Sequence, residues 1–261
     1  MSPAFWLPLS GLAVLAFWGD LKDLSPKLRL GLQLALLTLL IAGSGHWPAD
    51  TVWRLPWLLF WVVFIAGTAN FYNFMDGING ISGITGVIAF GLLAGYIFYN
   101  YGPGPLSSIA ICMSLSCLGF LPQNLPGAKV FMGDIGSILL GSVFGSLVFL
   151  TSQTVLDFVC MASFLFTFYA DELTTMFERL RDGENLTQAH RRHVYQLLAN
   201  EKGAPHWKIS AGYGLLQLGV GIGALAVKPL GIMAVLLLLT LCFLIFALVS
   251  RYLRSFLERP G

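Results

Sequence analysis

The sequence predicts an all-α, polytopic transmembrane helical bundle of about nine spans. Three observations carry this reading. Of the 261 residues, 56% are hydrophobic and only 11% charged, and the mean hydropathy is +0.76, more apolar surface than a soluble domain covers. The apolar residues gather in runs close to the roughly 20 residues that a helix needs to cross a bilayer. The basic residues are also divided unevenly among the connections. With the N-terminus outside, 13 of the 15 fall on the inner side, and only Arg54 and Lys228 lie opposite.

The first run, 4–18, has no basic start and no small-residue cleavage site, so it reads as a span and not as a signal peptide. The polar stretch from Asp20 to Arg29 follows, and Ser25-Pro26 opens the next helix, with Ser25 as cap and Pro26 at a tolerated position, leading into the run 30–45. Runs at 55–72, 83–101, 105–121, 135–151 and 154–170 come next, then 209–227 and 229–250. Between the last two groups lies 171–208, read as the main cytoplasmic loop. An odd number of spans puts the two ends on opposite sides, and the basic residues place the N-terminus outside and the C-terminus in the cytoplasm. That arrangement, set by the basic residues alone, also brings Asp20, Asp76, Asp134 and the 171–208 loop to one cytoplasmic face. Cys112, Cys117, Cys160 and Cys242 all sit in apolar runs at no metal-ligand spacing and read as small hydrophobes. No repeat, low-complexity tract or linker divides the chain, so 1–261 is one membrane domain. The net charge of +2 and the lack of interleaved aromatic and basic residues give no reason to expect nucleic acid.

Ionisable groups beside membrane runs are costly unless paired, hydrated or bound to a cation, and they mark functional sites by default. Asn70, Asn73 and Asp76 recur every third residue, one helical face at the end of a span, and Gly77 and Asn79-Gly80 then break the helix. Carboxamides can hydrogen-bond phosphate or sugar hydroxyls, and the carboxylate can take a cation or a proton. An Asn-rich helix end satisfying its own backbone is the structural alternative. In Phe131-Met-Gly-Asp134-Ile-Gly-Ser137, Asp134 stands before the helix expected from residue 135. It can be an N-cap or a Mg²⁺ ligand, since that ion takes one or two carboxylates, substrate phosphates and water. Lys129, five residues earlier, can neutralise phosphate. In the 171–208 loop, His190-Arg191-Arg192-His193 lacks the glutamate or cysteines of a zinc site and suits a diphosphate better. A basic juxtamembrane stripe is the alternative.

These motifs resemble the polyprenyl-phosphate N-acetylhexosamine-1-phosphate transferase family, bacterial glycosyltransferase family 4, which includes the phospho-MurNAc-pentapeptide transferases. The match runs from about Asp20 to Gln196. The resemblance implies transfer of a sugar-1-phosphate from a UDP-sugar to polyprenyl phosphate with Mg²⁺ (Mn²⁺ as substitute) and release of UMP. It implies catalytic roles for Asp20, Asp76 and Asp134, with Asp134 and Asn73 at the metal. Asn70, Asn73, Asn79, Lys129, His190, Arg191, Arg192 and His193 become the substrate-binding set. The expected partners are the UDP-sugar, the polyprenyl phosphate, the bilayer of the bacterial inner membrane and a second copy of the chain in a homodimer. The His-Arg-Arg-His-Val-Tyr form is similar to the O-antigen and wall-polymer branch. Two departures stand out. Gly19-Asp20 replaces the family's Asp-Asp pair, and one helix precedes it where the family has about two more, which reads as a shortened N-terminus. A catalytically impaired homologue that binds lipid or assists assembly is the alternative these departures motivate. A transporter is a further reading, but no inverted repeat supports it.

Overall fold

A computed structural model describes residues 3–22, 24–185, 188 and 190–257. The described residues form helices and turns without a strand. The helices are α1 (Pro3–Leu21), α2 (Pro26–Gly43), α3 (Arg54–Phe74), α4 (Ile81–Tyr101), α5 (Pro105–Asn124) and α6 (Gly133–Thr151). They continue as α7 (Val155–Ala162), α8 (Phe166–Arg181), α9 (Val194–Asn200), α10 (His206–Val227) and α11 (Ile232–Leu257). Seven of these, α2 to α6, α10 and α11, are long and apolar enough to cross a membrane, and α1 is a shorter apolar helix. The protein is therefore a multi-pass membrane protein of all-α type.

Local chemistry sets the helix boundaries. Ser25 caps α2 by accepting from Leu28 N at 3.3 Å, with Pro26 in the first turn. The centre of the bundle is the α3–α6 pair. A Cβ on Gly141 would lie 2.6 Å from Ala69 Cα, so only glycine lets these two backbones approach. Helices α1 and α2 pack on one side of this pair, while α4 joins α5 and α10 on the other. α11 leaves Met233, Leu237, Ile245 and Leu248 exposed, as a helix facing lipid does.

The span expected over 154–170 is not one helix. A Thr154–Asp157 capping box starts α7, a single 3₁₀ turn spans Ser163–Leu165, and α8 begins at Phe166. A break buried in an apolar bundle must have its freed backbone groups satisfied by protein. Gln217 of α10 does this: its Oε1 accepts from Thr167 N at 3.0 Å, and its Nε2 donates to Ser163 O at 3.1 Å. The expected loop over 171–208 also differs. Its first part continues α8 to Arg181 with Asp171, Glu172 and Thr175 buried, and α9 is a second helical piece within it.

Candidate active site

Helix α6 begins at Gly133, so Asp134 stands in its first turn and not before it. Its carboxylate does not cap the helix. Oδ2 accepts from Arg29 Nη1 at 2.6 Å, and Oδ1 accepts from Asn73 Nδ2 at 2.8 Å. Asn73 Nδ2 also donates to Ser137 Oγ at 2.9 Å, and that hydroxyl donates to Gly133 O. One carboxylate is thus fixed by α2, α3 and its own helix. The unpaired N–H groups of the first turn of α6 add to its preference for negative charge at this position.

Asp76 lies in the turn between α3 and α4. Burial pushes its carboxyl up to about 7, and the negative charge of Asp134 pushes the same way. The turn is held from several helices. Gly80 N donates to Asn124 Oδ1 at 2.5 Å, Asn79 N donates to His206 Nδ1 at 3.3 Å, and Ser210 Oγ donates to Asn79 O at 2.8 Å. Tyr195 Oη donates to Phe74 O at 2.9 Å. The result is a cavity of about 250 Å³ whose polar lining is Asn73, Asp76, Asn79, Asn124 and Asp134. Asp20 reaches its rim, with Oδ2 3.6 Å from where a Cβ on Gly133 would stand.

The structure thus brings together Asp20, Asn73, Asp76, Asn79 and Asp134. It does not bring in the others. Asn70, expected beside Asn73, points its Nδ2 at Gln33 Oε1 (3.0 Å) and Ala66 O (2.7 Å), because the helix turns it towards α2. Asn73, expected as a metal ligand, presents its NH₂ to Asp134 and so orients that carboxylate. Lys129 is exposed and does not line the cavity. His190, Arg191, Arg192 and His193, expected to face the donor, also lie outside its lining. Arg191 is exposed, and Arg192 pairs with Asp182 at 2.8 Å and Glu184 at 2.5 Å. His193 is buried, with Nε2 3.4 Å from Glu172 Oε2. Burial, reinforced by His193 and Arg179, pushes His190 down to about 4, so its ring is neutral at pH 7 and offers no charge to a diphosphate. Arg29 and Asn124 are the site residues that sequence reasoning missed. Arg29 had one signal, a cation in the first turn of α2 at the same membrane border as Asp20, whereas nothing local singled out Asn124.

The chain belongs to glycosyl transferase family 4, whose model matches residues 2–152. That segment contains every residue of the cavity. It is also similar to curated relatives named phospho-N-acetylmuramoyl-pentapeptide-transferase. The protein of Oleidesulfovibrio alaskensis is 32% identical over 141 residues, covering 53% of this chain and 38% of the relative. That of Moorella thermoacetica is 34% identical over 140 residues, covering 50% and 42%. That of Francisella tularensis subsp. novicida is 30% identical over 144 residues, covering 52% and 38%. The chain therefore matches less than half the length of these relatives.

Proposed function

We propose that this protein transfers a sugar-1-phosphate, N-acetylhexosamine-1-phosphate in the first instance, from a UDP-sugar to polyprenyl phosphate, releasing UMP. The observation that carries this reading is the cavity of a family-4 chain that Asp134 lines together with Asn73 and Asp76, its carboxylate held by Asn73 and, from outside the lining, by Arg29. Phosphoryl transfer needs positioning and charge stabilisation more than covalent chemistry from the protein. A lipid phosphate oxygen attacks the donor phosphorus that bears the sugar, and the bond from that phosphorus to the oxygen bridging to UMP breaks. The phosphate monoester has a second pKa near ~6, so at pH 7 most of the acceptor is already dianionic and needs no base. Gly19 in place of an acid is compatible with turnover for that reason.

Among the described residues, no three Asp, Glu, His or Cys side chains form a metal cage. The donor chemistry still fits Mg²⁺, which uses one or two carboxylates and takes its remaining ligands from phosphates and water. Asp134 and Asp76 would hold the ion, and Mn²⁺ could replace it. Its contribution there is to offset the charge of the donor diphosphate. Arg29 is the cation of this chain that balances Asp134. The positive-inside bias supports a cytoplasmic active face in a bacterial inner membrane, with the N-terminus outside and the C-terminus inside. The His-Arg-Arg-His sequence supports a place in O-antigen or wall-polymer assembly. The experiment is to incubate the purified protein with a UDP-sugar, polyprenyl phosphate and Mg²⁺. A sugar-diphospho-lipid and equimolar UMP are the expected products. UMP without lipid product would overturn the reading.

A further inference from the structure

Outside the cavity, the most completely buried acid among the described residues is Asp171 of α8, with no exposed surface. Its carboxylate is a hub. Val194 N and Tyr195 N, the first amides of α9, donate to it at 2.9 and 3.4 Å. Tyr213 Oη of α10 donates at 2.6 Å, and Thr175 Oγ1 donates at 3.2 Å. Arg254 of α11 approaches to 4.0 Å and also bonds Thr175. One carboxylate therefore joins α8 to α9, α10 and the end of α11.

What α9 does next links this hub to the cavity. Tyr195, buried, extends from α9 over the turn after α3, and its hydroxyl donates to Phe74 O. The same hydroxyl lies where a Cβ on Gly77 would stand, so only glycine at 77 admits it. Helix α10, bound to Asp171 through Tyr213, holds the other end of that turn through His206 and Ser210. We propose that Asp171 is a positioning residue: its buried carboxylate fixes α9 and α10, and through Tyr195 it fixes the 75–80 turn that carries Asp76 and Asn79 into the cavity. A helix of seven residues is too short to hold its own geometry in isolation, so α9 depends on such an anchor. The kinetic part of this role rests on the transferase reading; the structural part does not.

The test uses the full chain in lipid nanodiscs. Amide hydrogen exchange is measured over 75–80 and 194–200 in wild type, Asp171→Asn and Tyr195→Phe. Asp171→Asn keeps the shape and loses the charge, and it should raise exchange in both segments at least tenfold. Tyr195→Phe removes only the hydroxyl and should raise exchange in 75–80 while leaving 194–200 unchanged. It should also raise the apparent KM for the UDP-sugar about tenfold and leave that for polyprenyl phosphate unchanged. A defect confined to folding would reduce the amount of active protein and move neither KM. The proposal is overturned if Asp171→Asn loosens 194–200 and leaves 75–80 as in wild type. It is equally overturned if Tyr195→Phe changes neither exchange in 75–80 nor the donor KM. Should Asp171→Asn fail to fold, Tyr195→Phe decides alone. Should wild type release no UMP, the transferase reading fails and the exchange data still decide the positioning.

Discussion

At Asp134 a single carboxylate has two claimants, the Arg29 guanidinium at 2.6 Å and, in the proposed reaction, Mg²⁺. Gly19 bears on this competition. A Cβ there would lie 3.4 Å from Arg29 Cδ and 3.6 Å from Nη1, so an acid at 19 would share the guanidinium and release Asp134 in part. Gly19→Asp is therefore expected to lower the Mg²⁺ concentration that half-saturates UMP release. An unchanged Mg²⁺ requirement with a rate gain confined to low pH would instead assign the missing acid the role of a base. Asp76 gives a second prediction. Its carboxyl is raised to about 7 in the folded protein, against 3.8 when free. The folded state holds this proton more tightly, so the associated stability is fully present below pH 3.8 and is lost as pH rises through about 7. Every tenfold gain in proton affinity on folding corresponds to about 1.4 kcal/mol. In metal-free protein, Tm should fall between pH 5 and 8 more steeply for wild type than for Asp76→Asn. Parallel profiles would show that Asp76 titrates normally.

At the scale of elements, the break between α7 and α8 separates what the sequence reveals from what it hides. Gln217 satisfies Thr167 N–H and Ser163 C=O from another helix. Gln217→Leu would leave Thr167 N–H buried without its acceptor, at a cost of about 1–3 kcal/mol, while Ser163 C=O keeps the N–H of Phe166. Thermal unfolding should show a Tm lower by several degrees; an unchanged Tm would mean that the break satisfies itself. The run 154–170 reads as one span because hydropathy averages over the break, and the residue that makes the break tolerable lies 50 positions away. The same logic separates Asn73 from Asn70. Both share a period of three, but Asn70 finds Gln33 of α2, a partner that no pattern in its own segment announces. The motif around Asp134 was legible because a lone carboxylate between glycines at a membrane border has few uses. Arg29, its partner 105 residues earlier, was legible only as part of a basic stretch. In the His190–His193 segment, charge in sequence does not show pairing: its arginine at 192 already meets Asp182 and Glu184.

For the whole molecule, composition together with apolar runs of about 20 residues made an all-helical membrane protein legible in the sequence. The helix ends that carry Asp20, Asp76, Asp134, Asn124, His206 and Arg254 are all drawn to one end of the bundle. The side chains at the opposite end include the Lys228–Asp157 pair at 2.8 Å. Reporter fusions at 76, 129 and 190 should read as cytoplasmic, and those at 50, 103 and 228 as external. A fusion near 190 on the external side would contradict the orientation and remove a cytoplasmic UDP-sugar from reach of the cavity.

Whether the Asp134 cavity performs sugar-1-phosphate transfer is decided by comparing wild type with Asp134→Asn in matched nanodiscs. Asparagine keeps the shape of the side chain and can still accept from Asn73 or Arg29, but it carries no charge. Wild type should form UMP and lipid product only when both substrates are present. Asp134→Asn should be slower by about 10²-fold or more, the scale on which a preorganised electrostatic group acts, with its thermal unfolding close to that of wild type. Equal rates in the two proteins, or no UMP from either, would contradict transfer at this cavity.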